Sequence, residues 1–198
     1  MISVAEFRAL CKSESADSIV DDILLTNEAL HVRATDRAYI RSDLAGAFGI
    51  DTSEIELWIV GSAKLGFSLR EKRQDGVTLP RYRPFGPLSD IDVAIVSPTM
   101  FRILWHELSA FAHGQPWMPW DSRYLGDYMV YGWLRPDHFP KHGVRYCAEW
   151  WNRFRRFSSS SRFERRRVRG GLFHSFEDLR RYQGRSAEEC INVELGQV

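Results

Sequence analysis

Two short apolar runs mark the centre of the chain, and each has the pattern of a buried strand. Residues 57–60 read LWIV and residues 93–96 read VAIV, and short runs with β-branched side chains favour strands. The first run leads into Gly61-Ser62, and the second follows Ser89-Asp90-Ile91-Asp92. We therefore predict adjacent strands at about 55–60 and 91–96, each with a polar signature at one end.

Helical periodicity accounts for most of the remaining chain. Asp36 and Gly49 look like the cap pair of one helix, and Ser97 followed by Pro98 is a typical start for another that ends near His113. The first three helices should form a layer over one face of the sheet, and a third strand is predicted at about 167–174. The apolar spacing predicts helices at 3–12, 16–25, 36–48, 98–113, 143–157, 176–183 and 186–193.

These elements predict one α+β domain, in which a small mixed β-sheet carries packed N-terminal and C-terminal helices. Residues 1–54 would form the helical N-terminal layer, 55–113 the core with both polar signatures, and 114–198 a helical and basic remainder. A chain of 198 residues and 23.0 kDa suits one domain. With 44% hydrophobic and 27% charged residues, disorder across the whole chain is excluded.

Several site classes find no support in the composition. Three well-separated cysteines and six histidines without a ligand-like spacing predict neither a disulfide framework nor a zinc site. No apolar run approaches the ~20 residues of a membrane span, and the first residues lack a signal-peptide pattern. We therefore expect a cytoplasmic protein that does not contact a membrane.

The first polar signature has the chemistry of a phosphate-binding turn. At Gly61-Ser62 the strand should turn sharply into a short helix, with Ser62 as its N-cap. Gly61 has no side chain, so the backbone can approach a bound group closely. The free N–H groups at the start of a helix favour phosphate binding.

The second signature has the chemistry of a metal site. Side chains of a strand alternate between its two faces, so Asp90 and Asp92 should point the same way and Ile91 the other way. Parallel carboxylates repel unless a cation neutralises them, and Mg²⁺ binds one or two carboxylates together with substrate phosphate oxygens. The two signatures together indicate phosphoryl or nucleotidyl transfer.

Residues 57–96 resemble the core motif of the DNA-polymerase-β-like nucleotidyltransferase superfamily. The resemblance lies in Gly61-Ser62 after an apolar strand, Lys64 and Gly66 on the following turn, and Ser89-Asp90-x-Asp92 at the next strand. It implies two Mg²⁺ (or Mn²⁺) ions and attack of an acceptor hydroxyl on the α-phosphate of a nucleoside triphosphate such as ATP. In that scheme Gly61, Ser62 and Lys64 bind the β and γ phosphates, while Asp90 and Asp92 are the catalytic metal ligands.

The chain departs from this family pattern in two places. A basic insert at roughly 69–88 lengthens the spacer between the signatures. The superfamily also has a third carboxylate on a later strand, whereas the third predicted strand has no acid between Glu164 and Glu177. Asp127 and Glu194 are the alternative sources of that acid.

Most of the positive charge lies in the part of the chain that follows residue 56. Residues 1–56 contain 11 acidic and 5 basic residues, and the remainder contains 15 acidic and 22 basic, which suits an anionic substrate. Arg165, Arg166 and Arg167 are candidate contacts for RNA, another nucleic acid or the acceptor; the alternative is a solvated face. The basic residues of the insert would grip the substrate or form a solvated loop: Arg70, Lys72, Arg73, Arg81 and Arg83.

Two functional hypotheses follow from these patterns. The first is a metal-dependent nucleotidyltransferase that moves a nucleoside monophosphate from a nucleoside triphosphate to an unidentified acceptor hydroxyl. The second is a catalytically degenerate module of the same fold that binds nucleotide or nucleic acid. The unplaced third acid and the arginine-rich region at 153–169 favour the second hypothesis, and the paired signatures favour the first. Neither the acceptor, the preferred base nor the oligomeric state follows from the sequence.

Overall fold

A small mixed β-sheet lies at the centre of the molecule. The computed structural model describes residues 2–74, 76–87, 89–115, 128 and 130–197. The sheet has the strand order β1-β4-β6-β5, in which β4 is antiparallel to β1 and parallel to β6, and β5 is antiparallel to β6. Its strands are β1 Glu56–Val60, β4 Ile91–Val96, β5 Trp133–Leu134 and β6 Val168–Phe173. A separate hairpin pairs β2 Lys72–Gln74 with β3 Val77–Leu79. The predicted α+β fold with a small mixed sheet is confirmed.

Seven α-helices are described around this sheet: α1 Val4–Ser13, α2 Ala16–Ile19, α3 Ala34–Phe48, α4 Ser62–Leu65, α5 Pro98–His113, α6 Arg145–Ser159 and α7 Phe176–Glu194. A π-helical turn, Val20–Leu24, continues α2. Ser97 caps α5 by accepting a hydrogen bond from the Met100 N–H, with Pro98 at the first position, as predicted. None of the described helices is long and apolar enough to cross a membrane.

The two faces of the sheet pack against different helices. Ile91, Val93 and Ile95 of β4 join a core with α3, α5 and α6, whereas Ala94 and Val96 join a second core with α1, α2 and α7. Strand side chains alternate, so one strand supplies both cores. The prediction that the first three helices cover one face is therefore wrong: α3 covers one face, and α1 and α2 cover the other.

The chain changes face through the segment that links α2 to α3. The N–H groups of Leu30 and His31 donate to the carbonyls of Lys64 and Ala63, at 3.0 Å each. These bonds hold the linker against α4, at the end of β1. Helical periodicity in a sequence identifies the apolar side of each helix, but it does not show which face of the sheet the helix packs against. The prediction for α1 and α2 was wrong for this reason.

Two helix boundaries also differ from the sequence pattern. Helix α7 is continuous from Phe176 to Glu194, where two helices were predicted, because residues of both halves are buried in one core. The free-energy penalty of Gly184 in the middle of the helix is smaller than the stabilisation that this shared burial provides. Helix α3 begins at Ala34, and Asp36 lies in its first turn and binds Arg33 and Arg162 rather than acting as a cap. Gly49 ends α3 in the left-handed conformation, as predicted.

Helix α6 and strand β6 approach each other closely at Gly170. A Cβ atom at this position would lie 2.2 Å from Phe154 Cζ and 2.6 Å from Trp150 Cζ2. Both aromatic rings are buried in the core that α6 shares with the sheet. The absence of a side chain at Gly170 therefore sets the distance between α6 and the sheet.

We predict that Gly170→Ala lowers the free energy of unfolding by about 2 kcal/mol or more, because the added methyl overpacks a core formed by two large rings. Urea denaturation with the midpoint and slope measured separately tests this. Gly184→Ala is the matched control, since a Cβ there has nothing within 4 Å. That variant should be more stable by roughly 0.5–1 kcal/mol, the usual helix preference for Ala. Equal stability of Gly170→Ala and wild type would contradict this packing.

Candidate functional site

A cleft of about 940 Å³ opens on the face of the sheet that also carries α1, α2 and α7. The sheet forms its floor, because alternate residues of β4 and β6 point into it. Helix α7 forms one wall with Tyr182, Gln183 and Ser186, and the insert forms another. The floor residues include Val60, Asp92, Ala94, Arg169, Gly171 and Phe173.

Asp90 and Asp92 both line this cleft, as the alternation of β4 predicts. Asp92 lies opposite Val60 of β1 and beside Arg169 of β6 in the strand register. Arg169 forms an ion pair with Asp90, with 3.0 Å between Nε and Oδ2. A carboxylate pair and one guanidinium thus meet at the open end of the β4 and β6 pair.

The negative charge of Asp92 is only partly compensated. Burial raises the pKa of its carboxyl group above the ordinary value, and the neighbouring Asp90 carboxylate raises it further. The positive charges of Arg169, Arg135 and Lys72 act in the opposite direction without reversing the shift. A bound cation would therefore stabilise the ionised form of the Asp92 carboxyl group.

The Gly61-Ser62 turn lies directly beside Asp92. Gly61 adopts a φ of 66°, and a Cβ atom there would lie 3.1 Å from Asp92 Oδ2. The sharp turn from strand to short helix is therefore confirmed, and it brings both polar signatures to one end of the sheet. Gly61, not Ser62, is the N-cap, because the Gly61 carbonyl accepts from the N–H groups of Lys64 and Leu65. The predicted capping role of Ser62 is wrong, which leaves its hydroxyl at the cleft.

Lys64 is held away from the cleft. Its Nζ donates to the Thr26 carbonyl at 2.7 Å, the Thr26 hydroxyl at 2.9 Å and the Glu28 carbonyl at 2.6 Å. The residue is 6% exposed, and burial lowers the pKa of its amine to about 8. Because an ammonium has three donors, these bonds use its whole capacity. Lys64 fastens the α2 to α3 linker to α4, and this arrangement does not support the predicted phosphate contact.

The insert is anchored to α7. Arg81 donates to Glu189 at 2.9 Å and to the Leu69 carbonyl, and Arg70 donates to Ser186 Oγ at 3.0 Å. Arg83 donates to the Arg70 carbonyl at 2.9 Å. Three of the five basic side chains therefore stabilise the insert itself. Its middle forms the β2 and β3 hairpin, so it is a structured wall of the cleft and not an irregular loop.

The three arginines before β6, Arg165 to Arg167, differ in exposure: Arg166 is half-buried and the other two are exposed. Arg166 packs over the Phe85 ring at 4.6 Å, donates to the Gly86 carbonyl and pairs with Glu164 at 2.9 Å. Arg165 and Arg167 are exposed. Arg166 thus joins the approach to β6 with the insert, and none of the three lines the cleft. Nucleic-acid contact by Arg165, Arg166 and Arg167 stays a prediction.

In the part of the chain that the structure describes, no third acid joins Asp90 and Asp92. Among the described residues, no three His, Cys, Asp or Glu side chains are grouped as a metal site. On strand β6 the residue beside Asp92 is Arg169, which is not an acid. Glu71 of the insert also lines the cleft, but it is not grouped with Asp90 and Asp92 as a metal site. Glu194 binds Arg8 at 2.9 Å and does not line the cleft. The other proposed source, Asp127, lies outside the described residues.

The cleft residues that sequence reasoning did not identify as site residues include Trp133, Arg135, Arg169 and Tyr182. Arg169 could have been found by applying the two-residue alternation to β6, where it shares a face with Gly171 and Phe173. No motif in the sequence marks Trp133, Arg135 or Tyr182. The long segment between α5 and β5 separates the first two from the core motif.

Comparisons of this chain with protein-family models, curated proteins and solved structures find no match. The resemblance to nucleotidyltransferases therefore depends on the motif residues themselves, and membership of that superfamily stays a prediction.

Replacing the buried ammonium should affect stability. We predict that Lys64→Met lowers the free energy of unfolding by about 2 kcal/mol, because the Thr26 and Glu28 carbonyls of the α2 to α3 linker lose a partly buried charged donor. Lys72→Met is the matched control, since Lys72 is exposed, and it should change stability by less than about 0.5 kcal/mol. Chemical denaturation at pH 7 measures both. Equal effects of the two substitutions would contradict the anchoring role of Lys64.

Removing the charge of Asp92 should have the opposite effect. A carboxyl whose pKa is raised by folding is stabilising below its unfolded pKa, and that contribution is lost as pH rises through the folded pKa. We therefore expect metal-free Asp92→Asn to be more stable than wild type at pH 7, with the difference disappearing below about pH 4. Thermal melts across this range in a chelator-containing buffer measure the difference. A variant less stable than wild type at pH 7 would contradict the assigned electrostatics.

Proposed function

We propose that this protein is a metal-dependent nucleotidyltransferase, which moves a nucleoside monophosphate from a nucleoside triphosphate to an acceptor hydroxyl. The observation that supports the proposal is the convergence of the two polar signatures. Gly61 lies so close to Asp92 that a Cβ atom would be 3.1 Å from its Oδ2. A phosphate at the Gly61-Ser62 turn would therefore lie next to both carboxylates.

The charge of the cleft suits a triphosphate. Five Lys and Arg side chains are among the described residues that line it: Arg70, Lys72, Arg83, Arg135 and Arg169. Cationic side chains lining a cleft with apolar walls attract an anionic substrate and raise its local concentration. Because α4 has only one turn, its dipole is small. We therefore assign the β and γ phosphates to the Ser62 hydroxyl, the local backbone and the cleft cations Lys72 and Arg169, which do not hold the insert in place.

The carboxylate pair fits a hard divalent cation that is completed by substrate. Asp90 and Asp92 offer oxygen ligands to one cleft at the start of β4, and burial together with their mutual repulsion raises the pKa of Asp92. Mg²⁺ commonly binds one or two carboxylates and takes its other ligands from phosphates and water. When bound, such an ion neutralises the charge that develops on the transferring phosphate.

The other residues of the cleft would position the substrate. Trp133, Phe173 and Tyr182 form an aromatic cluster in which neighbouring ring centroids lie 5.1–6.2 Å apart. All three line the cleft and offer apolar surface to a nucleobase or to part of the acceptor. The insert, fixed to α7 through Arg81 and Glu189 at 2.9 Å, would form a wall on one side of the bound substrate.

A second candidate function is nucleotide binding without transfer. It is favoured by Arg169, which lies beside Asp92 on the strand where the family pattern would place a third acid. A site with fewer metal ligands could bind the triphosphate and act through that binding alone. The two candidates share the same ligand site and differ only in whether pyrophosphate is released.

One experiment tests ligand binding at the carboxylates. We expect saturating nucleoside triphosphate with Mg²⁺ or Mn²⁺ to raise the Tm of wild type by about 5–10 °C. The metal-dependent part of the shift should vanish in Asp92→Asn. Asp17→Asn is the control, since the Asp17 side chain is 74% exposed on α2, and it should behave like wild type. No shift with any of the four nucleotides would refute the proposal.

A second experiment separates the two candidates. The wild-type chain is incubated with nucleoside triphosphates labelled at the α-phosphate, together with total RNA, nucleosides or no added acceptor. Label attached to RNA, to a nucleoside or to the protein itself, with release of pyrophosphate, supports transfer. A Tm shift without any transfer of label would select the binding function instead.

A further inference from the structure

Arg169 is the one cleft cation that is paired with the proposed metal ligands among the described residues. Its guanidinium lies on β6 beside Asp92, and its Nε is 3.0 Å from Asp90 Oδ2. The side chains of Arg169 and Asp90 are 32% and 22% exposed, so water screens this charge only in part. A fixed positive charge therefore already lies among the groups that would hold metal ions.

The contact between Arg169 and Asp90 is electrostatic rather than a well-formed hydrogen bond. Nε of Arg169 is buried without a hydrogen-bond partner, although the Asp90 oxygen is 3.0 Å away. A buried donor without a partner costs free energy. The pair is therefore held by charge, and the exposed part of the Arg169 side chain can still present its positive charge to a phosphate in the cleft.

The remaining oxygen ligands suffice for one ion. Arg169 occupies the space next to Oδ2 of Asp90, which leaves Oδ1 of Asp90 and the carboxylate of Asp92. Two ions held about 3.5–4 Å apart need carboxylates that bridge or surround both. Among the described residues, no third acidic ligand is grouped with this pair, and a second ion would also face the charge of Arg169.

We propose that the site binds one divalent cation and that Arg169 supplies the positive charge that a second ion would otherwise provide. This inference rests on the proposed function. Arg169 then acts on two partners, since it repels the ion that shares the carboxylates and attracts the triphosphate. Its removal should change the two affinities in opposite directions, which a purely structural residue would not do.

The experiment measures metal and nucleotide binding by the full-length chain. Mn²⁺ binding is followed by electron paramagnetic resonance, with Mn²⁺ alone and with an ATP analogue that has a methylene between the α and β phosphorus atoms. Binding of the analogue without metal is measured by calorimetry in the presence of a chelator. Circular dichroism and gel filtration establish that each variant is folded.

We expect wild type to bind one Mn²⁺ per chain in the presence of the analogue. Arg169→Gln should bind Mn²⁺ alone about tenfold more tightly and the metal-free analogue about tenfold more weakly, since one partly screened charge is lost. Arg169→Lys keeps the charge and should lie between this variant and wild type. Arg181→Gln is the control, because Arg181 is 72% exposed and pairs with Glu177 on α7; both affinities should stay unchanged.

Three outcomes would overturn the inference. Two Mn²⁺ ions per wild-type chain would contradict the one-ion site while leaving the proposed function in place. Parallel weakening of both affinities in Arg169→Gln and Arg169→Lys would give Arg169 a structural role. Absence of any Mn²⁺ or analogue binding by wild type would refute the proposed function itself, and the inference with it.

Discussion

The repulsion between two carboxylates on one face of β4 is the constraint on which the site depends. The alternation of the strand sends Ile91, Val93 and Ile95 into one core and turns Asp90 and Asp92 towards the other. Apolar side chains cannot cover this end of the face without burying unpaired charge. The cleft is therefore open where the carboxylates lie and closed at the far end of β4, where Val96 packs into the second core.

The surrounding elements keep this charged end in a defined shape. Lys64 uses its three donors to hold the α2 to α3 linker against the turn that carries Gly61 and Ser62. Arg81 fixes the insert to α7 through Glu189. Both cations therefore stabilise the fold through contacts within the protein, although the sequence pattern indicated both as candidate substrate contacts. The charge available to a ligand comes instead from residues such as Arg169 and Lys72, which line the cleft.

The sequence predicted those features that follow from short-range patterns. The strands β1 and β4, the sharp turn at Gly61 and the shared face of Asp90 and Asp92 all depend on spacing within one segment. The face covered by α1 and α2, the burial of Lys64 and the pairing of Arg169 with Asp90 depend on contacts between distant segments. The 77 residues between Asp90 and β6 carry no periodic signal for the register that brings Arg169 beside Asp92. Asp127, one predicted source of a third acid, lies outside the described residues.

Locating the metal ion and the triphosphate together tests the proposed site most directly. Crystals of the chain grown with Mn²⁺ and a non-hydrolysable nucleoside triphosphate would show the ion by its anomalous scattering. We predict one Mn²⁺ peak on the oxygens of Asp90 and Asp92, with the terminal phosphates at Gly61-Ser62. Nucleotide bound elsewhere, or Mn²⁺ away from both carboxylates, would contradict this prediction.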